Sequence, residues 1–192
     1  MMATRGVVHV HAMGAKAPSR RLELKAKLLG SLEGLERGAR ADEAAQKRVD
    51  DIAKELEKVN PTEKPLQSSL LSGKWRLVYT TSKGILGASR PEALRPRGPI
   101  FQTIDAKALR ARNQEPFPFF NGVEAELVPM SDSEVRVNFK TFKLGGFVPV
   151  PAPETATGTL DTTYLDEEMR VSRGNRGNLF VLLMEDPEER IS

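Results

Sequence analysis

The chain contains no cysteine, which excludes disulfides, thiolate nucleophiles and cysteine-held metals. Histidine is nearly as scarce: the only two are His9 and His11, close to the start of the chain. Beyond them no Ser-His-Asp triad, Cys-His pair, histidine zinc site or histidine general base can be assembled. There is no Walker loop and no G-x-G-x-x-G phosphate cradle. Long apolar runs are missing too. The longest, Leu179 to Met184, is six residues, against the roughly 20 needed to span a bilayer. Nor is there a strong excess of one charge: 29 basic and 26 acidic residues leave +3, too little for a dedicated nucleic-acid binder. What remains for acid–base chemistry is a few carboxylates, chiefly Asp161, Asp166, Glu167 and Glu168. Asp166-Glu167-Glu168 falls between two strand patterns, where a solvated turn is the plainer reading. No catalytic residue, metal ligand or cofactor is assigned.

What is there begins with an acid-free stretch. From Met1 to Leu22 no Asp or Glu occurs, while Arg5, Lys16, Arg20 and Arg21 supply positive charge among small residues. Basic and acid-poor composition is that of an organelle transit peptide; a disordered start is the alternative. Two helical patterns follow. Leu24, Leu28, Leu32 and Leu35 form one apolar face, and Gly38 is a candidate C-terminal cap. Ala45, Val49, Ile52, Leu56 and Val59 form a second, stopped by Asn60-Pro61. A helical hairpin packed on the main domain is expected over residues 22–60, with a coiled-coil contact to a partner as the alternative.

From about residue 70 the period changes to two. Trp75, Leu77 and Tyr79 alternate with charged or small neighbours, and Ile100, Gln102 and Ile104 share a face. Val123 to Leu127, Val135 to Phe139, Leu160 to Tyr164, Met169 with Val171, and Leu179 to Leu183 continue the pattern. About seven strands without intervening helices predict an antiparallel sheet, and closing it removes its edges. The fold class is therefore mainly β: an antiparallel barrel over residues 68–192, preceded by a helical hairpin. A barrel of this size holds one small ligand.

Two apolar loops carry prolines that keep them out of central strands: Phe117-Pro118-Phe119-Phe120, and Phe147 to Pro151. At one end of a barrel they would line a portal or dip into a lipid surface, Phe117, Phe119, Phe120 and Phe147 being the contacts. Folding over the barrel mouth as ordinary core is the equal alternative. Seven basic residues from Lys83 to Arg112 face only Glu92 and Asp105, a balance that suits an anionic lipid surface or plain solvent.

Longer motifs carry a resemblance. Ser69-Leu70-Leu71-Ser72-Gly73-Lys74-Trp75-Arg76-Leu77-Val78-Tyr79 is similar to the opening of the plastid lipid-associated protein (fibrillin) domain. Gly158 to Leu182, with Asp166-Glu167-Glu168 and the Arg173 to Asn178 turn, resembles its closing signature. Gly98 to Asp105 and Asn113 fall in order between them, and the likeness runs over roughly residues 22 to 190. Thr159 and Met169 depart from it, standing where many members have Trp and Leu. The resemblance implies a lipocalin-like barrel and plastid import over residues 1–21. It implies peripheral association with thylakoids or plastoglobules, and a non-enzymatic role with prenylquinones, carotenoids or acyl lipids as ligands. Gly73-Lys74-Trp75 is also similar to the lipocalin Gly-x-Trp, whose tryptophan closes the barrel base.

On that basis an apolar tail enters the barrel, with Trp75, Leu77, Tyr79, Ile104, Phe139 and Tyr164 as expected wall residues. Asp166, Arg170 and Arg173 are the candidate headgroup anchors, a local charge network being their alternative role. The rival from another class is a scaffold with a filled barrel, docking a plastid protein partner through the helical hairpin.

Overall fold

The computed structural model describes residues 19–116 and 118–191. The targeting segment expected over residues 1–21 lies almost wholly outside them, as do His9, His11 and Phe117.

Helix α1 spans Arg20–Ser31, its first turn capped by the Ser19 hydroxyl, and α2 spans Glu43–Glu57, capped by Asp42 accepting from the Ala45 N–H at 2.7 Å. The apolar stripe of α2 is the expected one: Ala45, Val49, Ile52 and Leu56 are buried. α1 ends earlier than the leucine spacing predicts, because Gly34 and then Glu36 and Arg37 take positive φ and turn the chain. Gly38 is therefore not the cap of α1. It lies against β1 (Gly73–Thr80), so close that any Cβ there would overlap the Thr80 carbonyl oxygen.

The remaining strands are β2 (Ile100–Asp105), β3 (Arg110–Gln114), β4 (Gly122–Pro129), β5 (Glu134–Leu144), β6 (Val148–Pro151), β7 (Thr157–Leu165), β8 (Met169–Gly174) and β9 (Leu179–Asp186). Eight of them close into an antiparallel barrel in the order β1-β2-β3-β4-β5-β7-β8-β9, with β9 returning to β1. The ninth, β6, pairs only with the far half of β5. Two strands go beyond the sequence expectation. β3 reads Arg-Ala-Arg-Asn-Gln, with one apolar residue and hence no visible period. β6 reads Val-Pro-Val-Pro, and its prolines suit an edge, which is where it sits.

Two apolar layers hold this together. Inside the barrel Trp75, Leu77, Ile100, Ile104, Leu127, Val135, Leu165 and Leu182 form one core. Leu66, Leu70 and Leu71 belong to it at the end where β1 begins, and the Trp75 indole N–H donates to the Leu71 carbonyl at 3.0 Å. Outside, Leu28 of α1 and Val49, Ile52, Ala53 and Leu56 of α2 cover Tyr79, Tyr164, Met169, Val171, Leu179 and Val181 of the barrel. Each buried leucine, isoleucine or valine there contributes about 1.5–3 kcal/mol, so the helices are part of the fold and not an appendage.

Candidate functional site: an open cavity in the barrel

A cavity of about 490 Å³ occupies the barrel end opposite Trp75, within the roughly 300–1,000 Å³ usual for small-ligand sites. Its walls follow from strand alternation. Leu77, Ile100, Val137, Phe139, Phe180 and Leu182 give it an apolar surface, and Gly158 on β7 leaves room where a side chain would fill the space. Gln102 and Asn113 are the polar pair in the wall, the Gln102 amide donating to Asn113 Oδ1 at 2.9 Å. Ile85 and Arg90 of the β1–β2 connection, with Arg176 and Asn178 of the β8–β9 turn, frame the mouth.

The connection from 81 to 99 is tied in place from two sides. The Arg37 guanidinium donates to the carbonyls of Gly98 at 2.7 Å and Pro96 at 2.8 Å. Arg90 pairs with Glu115 and sits 5.3 Å from the centre of the Phe119 ring. In the basic stretch, Arg90, Arg110 and Arg112 each face a carboxylate.

The nine residues expected to bind ligand fall into three places. Leu77 and Phe139 line the cavity, while Trp75 and Ile104 lie in the core below it. Tyr79 and Tyr164 are on the opposite face, buried under the helices. The cause is two β-bulges. Between Leu77 and Tyr79, and again between Thr162 and Tyr164, the register shifts by a residue, so strict alternation breaks and the tyrosines turn outward.

Asp166 and Arg173 turn outward with them and meet the helices. Lys25 Nζ donates to Asp166 Oδ2 at 2.7 Å and to Glu168 at 2.6 Å. The Tyr164 hydroxyl donates to the same Asp166 oxygen at 2.6 Å. Burial works to raise the Asp166 carboxyl, but hydrogen bonds from Lys25, Tyr164 and the Glu168 and Met169 N–H groups outweigh it and hold it below the usual carboxylate range. Arg173 forks onto Glu57 at 2.8 Å and Asp50 at 2.8 Å of α2. These two residues form the charge network that docks the helices, and they lie on the other side of the wall from the cavity. Arg170 alone of the three candidate anchors points inward, 1 % exposed, its guanidinium 5.0 Å from the centre of the Trp75 ring.

The two apolar loops meet at the mouth end. The Gly145 N–H donates to Asn121 Oδ1 at 3.3 Å, and Gly146 approaches the Phe120 carbonyl. Phe147 at the β5–β6 tip is 82 % exposed, with Phe120, Leu144 and Val148 around half exposed and Phe119 at 37 %. Of the cavity wall, Ile100 and Gln102 were visible as one face of a strand. Val137 was visible in the same way beside Phe139, whereas Gly158 and Asn113 entered only through the family resemblance.

The fold is thus a closed eight-stranded antiparallel barrel with an open, largely apolar cavity at one end. The sequence pattern of the PAP_fibrillin family matches residues 22–183, and the chain belongs to that family of plastid lipid-associated proteins. Among its relatives, "Probable plastid-lipid-associated protein 5, chloroplastic" of Arabidopsis thaliana is 45% identical over 173 residues, covering 90% of this chain and 74% of that one. "Chromoplast-specific carotenoid-associated protein C2, chromoplastic" of an Oncidium hybrid cultivar is 28% identical, covering 85% and 69%. "Probable plastid-lipid-associated protein 12, chloroplastic" of Arabidopsis thaliana is 33% identical, covering 83% and 44%. By this kinship the chain is a plastid protein.

Proposed function

We propose that the protein is a non-catalytic carrier that holds one hydrophobic small molecule in its barrel at a thylakoid or plastoglobule surface. A prenylquinone, a carotenoid or an acyl lipid is the class of ligand. The observation that carries this reading is the 490 Å³ cavity with its Leu77, Val137 and Phe139 wall, in a barrel whose opposite end is packed shut. Relatives named for lipid and carotenoid association support it. Each buried CH₂ contributes about 0.8 kcal/mol, so a dozen carbons offset the several kcal/mol of ordering cost.

The division of labour follows: residues 1–21 direct import, 22–60 form the helical hairpin, and 68–192 form the ligand-bearing barrel. Phe119, Phe120 and Phe147 sit on the mouth side, where contact with lipid would let a ligand pass between surface and cavity without crossing water. The charges at Asp166, Arg170 and Glu168 serve binding and docking and not turnover. A filled-barrel scaffold is the weaker reading, because the cavity is open and the apolar faces of both helices are already occupied by the barrel.

The test is uptake of plastid lipid by a Leu77→Glu/Phe139→Glu variant. Loss of uptake by a folded variant supports the internal site; unchanged uptake contradicts it.

A further inference from the structure

One layer below the cavity lies a cation with no acid beside it among the described residues. Arg170 is on the inner face of β8, opposite the cavity-lining Leu182. One terminal nitrogen donates to Oε1 of Gln102. Its Nε and other terminal nitrogen have no hydrogen-bond partner among the described residues, and neither has the Ser172 hydroxyl two positions along the strand. Burial pushes the guanidinium down to about 9, with no neighbouring carboxylate to raise it, so it is charged at neutral pH. A buried charge without a counter-ion is among the most costly arrangements in a protein. The outward-facing cations beside it are all paired: Lys25 with Asp166, Arg173 with Glu57 and Asp50.

Gln102 connects this group to the cavity. Its amide lines the wall, gives its oxygen to Arg170 and its nitrogen to Asn113. A single hydrogen bond therefore separates the guanidinium from the space a ligand would occupy. Guanidinium donors form a planar fork that matches the two oxygens of a carboxylate.

We infer that Arg170 and Gln102 form a headgroup site at the cavity floor, and that the ligand is a long-chain carboxylic acid entering head first. The carboxylate takes the donors that Arg170 leaves unused and supplies the missing negative charge. The tail then runs along Leu77, Val137 and Phe139 toward the mouth. This rests on the cavity being a ligand site, and it narrows the ligand from hydrophobic molecules in general to single-chain acids. A neutral quinone or ester offers an acceptor but no charge, so the site discriminates against it.

Trp75 is the single tryptophan of the chain and lies against Arg170, so its fluorescence reports arrival of the headgroup. The full-length protein is titrated with hexadecanoic acid, its methyl ester and hexadecan-1-ol. The acid is expected to bind about tenfold or more tighter than either neutral analogue, as a charge-assisted hydrogen bond requires. Arg170→Met should bring the ratio to about one by weakening binding of the acid, and Arg170→Lys should keep part of the preference. A residue that serves only to brace Trp75 would lower stability in these variants without shifting the ratio. Equal binding of acid and ester by the unsubstituted protein, which needs no variant to fold, overturns the headgroup site and leaves the cavity standing. Binding of none of the three overturns both.

Discussion

Lys25 on α1 donates at 2.7 Å to Asp166 in the β7–β8 turn, an ion pair buried in the seam between helix and barrel. Lys25→Met leaves that carboxylate without its cation. The expected cost is about 3 kcal/mol, the low end for removing one partner of a buried pair, because Tyr164 and two backbone N–H groups still bond Asp166. In a chain of this size that lowers Tm by about 6–12 °C, measurable by thermal melting. The pH dependence follows from the shifts. Asp166 is held below its ordinary 3.8, so its contribution is full above that value and is lost as pH falls through the depressed one. Burial works to lower the Lys25 amine, but Asp166 and Glu168 together outweigh it and raise it above its ordinary 10.5, so its contribution is full below 10.5 and is lost only as pH rises through the raised value. The difference between the parent and Lys25→Met should be flat from about pH 5 to 9 and shrink outside those limits.

Arg37 links the turn between the helices to the β1–β2 connection through the Pro96 and Gly98 carbonyls. Arg37→Ala removes both bonds at once. Backbone amides from about 83 to 98 should then exchange with deuterium at least tenfold faster, with those of β8 and β9 unchanged. Uniform acceleration across the barrel would mean that Arg37 supports the whole fold and not the mouth.

Gly158 faces the cavity with φ in the ordinary range, and the nearest atom to an added Cβ is 3.9 Å away. Gly158→Leu should fill part of the cavity at little cost to the fold, with Tm equal to the parent or a few degrees higher. Ligand affinity should fall at least tenfold. A large drop in Tm would show that the space is not free to receive a side chain.

Phe147, at 82 % exposure, makes little contribution to the fold. Phe147→Ser should change stability by under about 0.5 kcal/mol and reduce sedimentation with vesicles of plastid galactolipid severalfold. Adding Phe120→Ser should reduce it further. Full vesicle binding by both variants would move the lipid-contacting surface elsewhere.

Sequence periodicity was enough to reveal the barrel and the hairpin, because Val49 and Leu56, or Val135 and Val137, repeat at the spacing their element imposes. It misled at the bulges. Leu77 and Tyr79 look like one face, yet the extra residue at Val78 sends the tyrosine to the helices, and nothing in a two-residue period marks an insertion. The same slip at Thr163 carries Tyr164, and with it Asp166, out of the site. β3 was invisible since its inner face is Ala111 and Asn113, small and polar where the rule looks for large and apolar. Arg170 could be singled out as a candidate anchor but not separated from Arg173: only the strand's direction relative to the barrel decides which one faces the barrel interior and which one faces α2.

A ligand carried in the cavity should survive purification of the protein. Residues 19–192, which include both helices, would be incubated with total thylakoid lipid, repurified, and extracted for mass spectrometry beside the Gly158→Leu variant. One lipid class at close to one molecule per protein is expected, strongly reduced in the variant. A folded protein recovered empty, or lipid recovered equally from both, would contradict a ligand in the cavity.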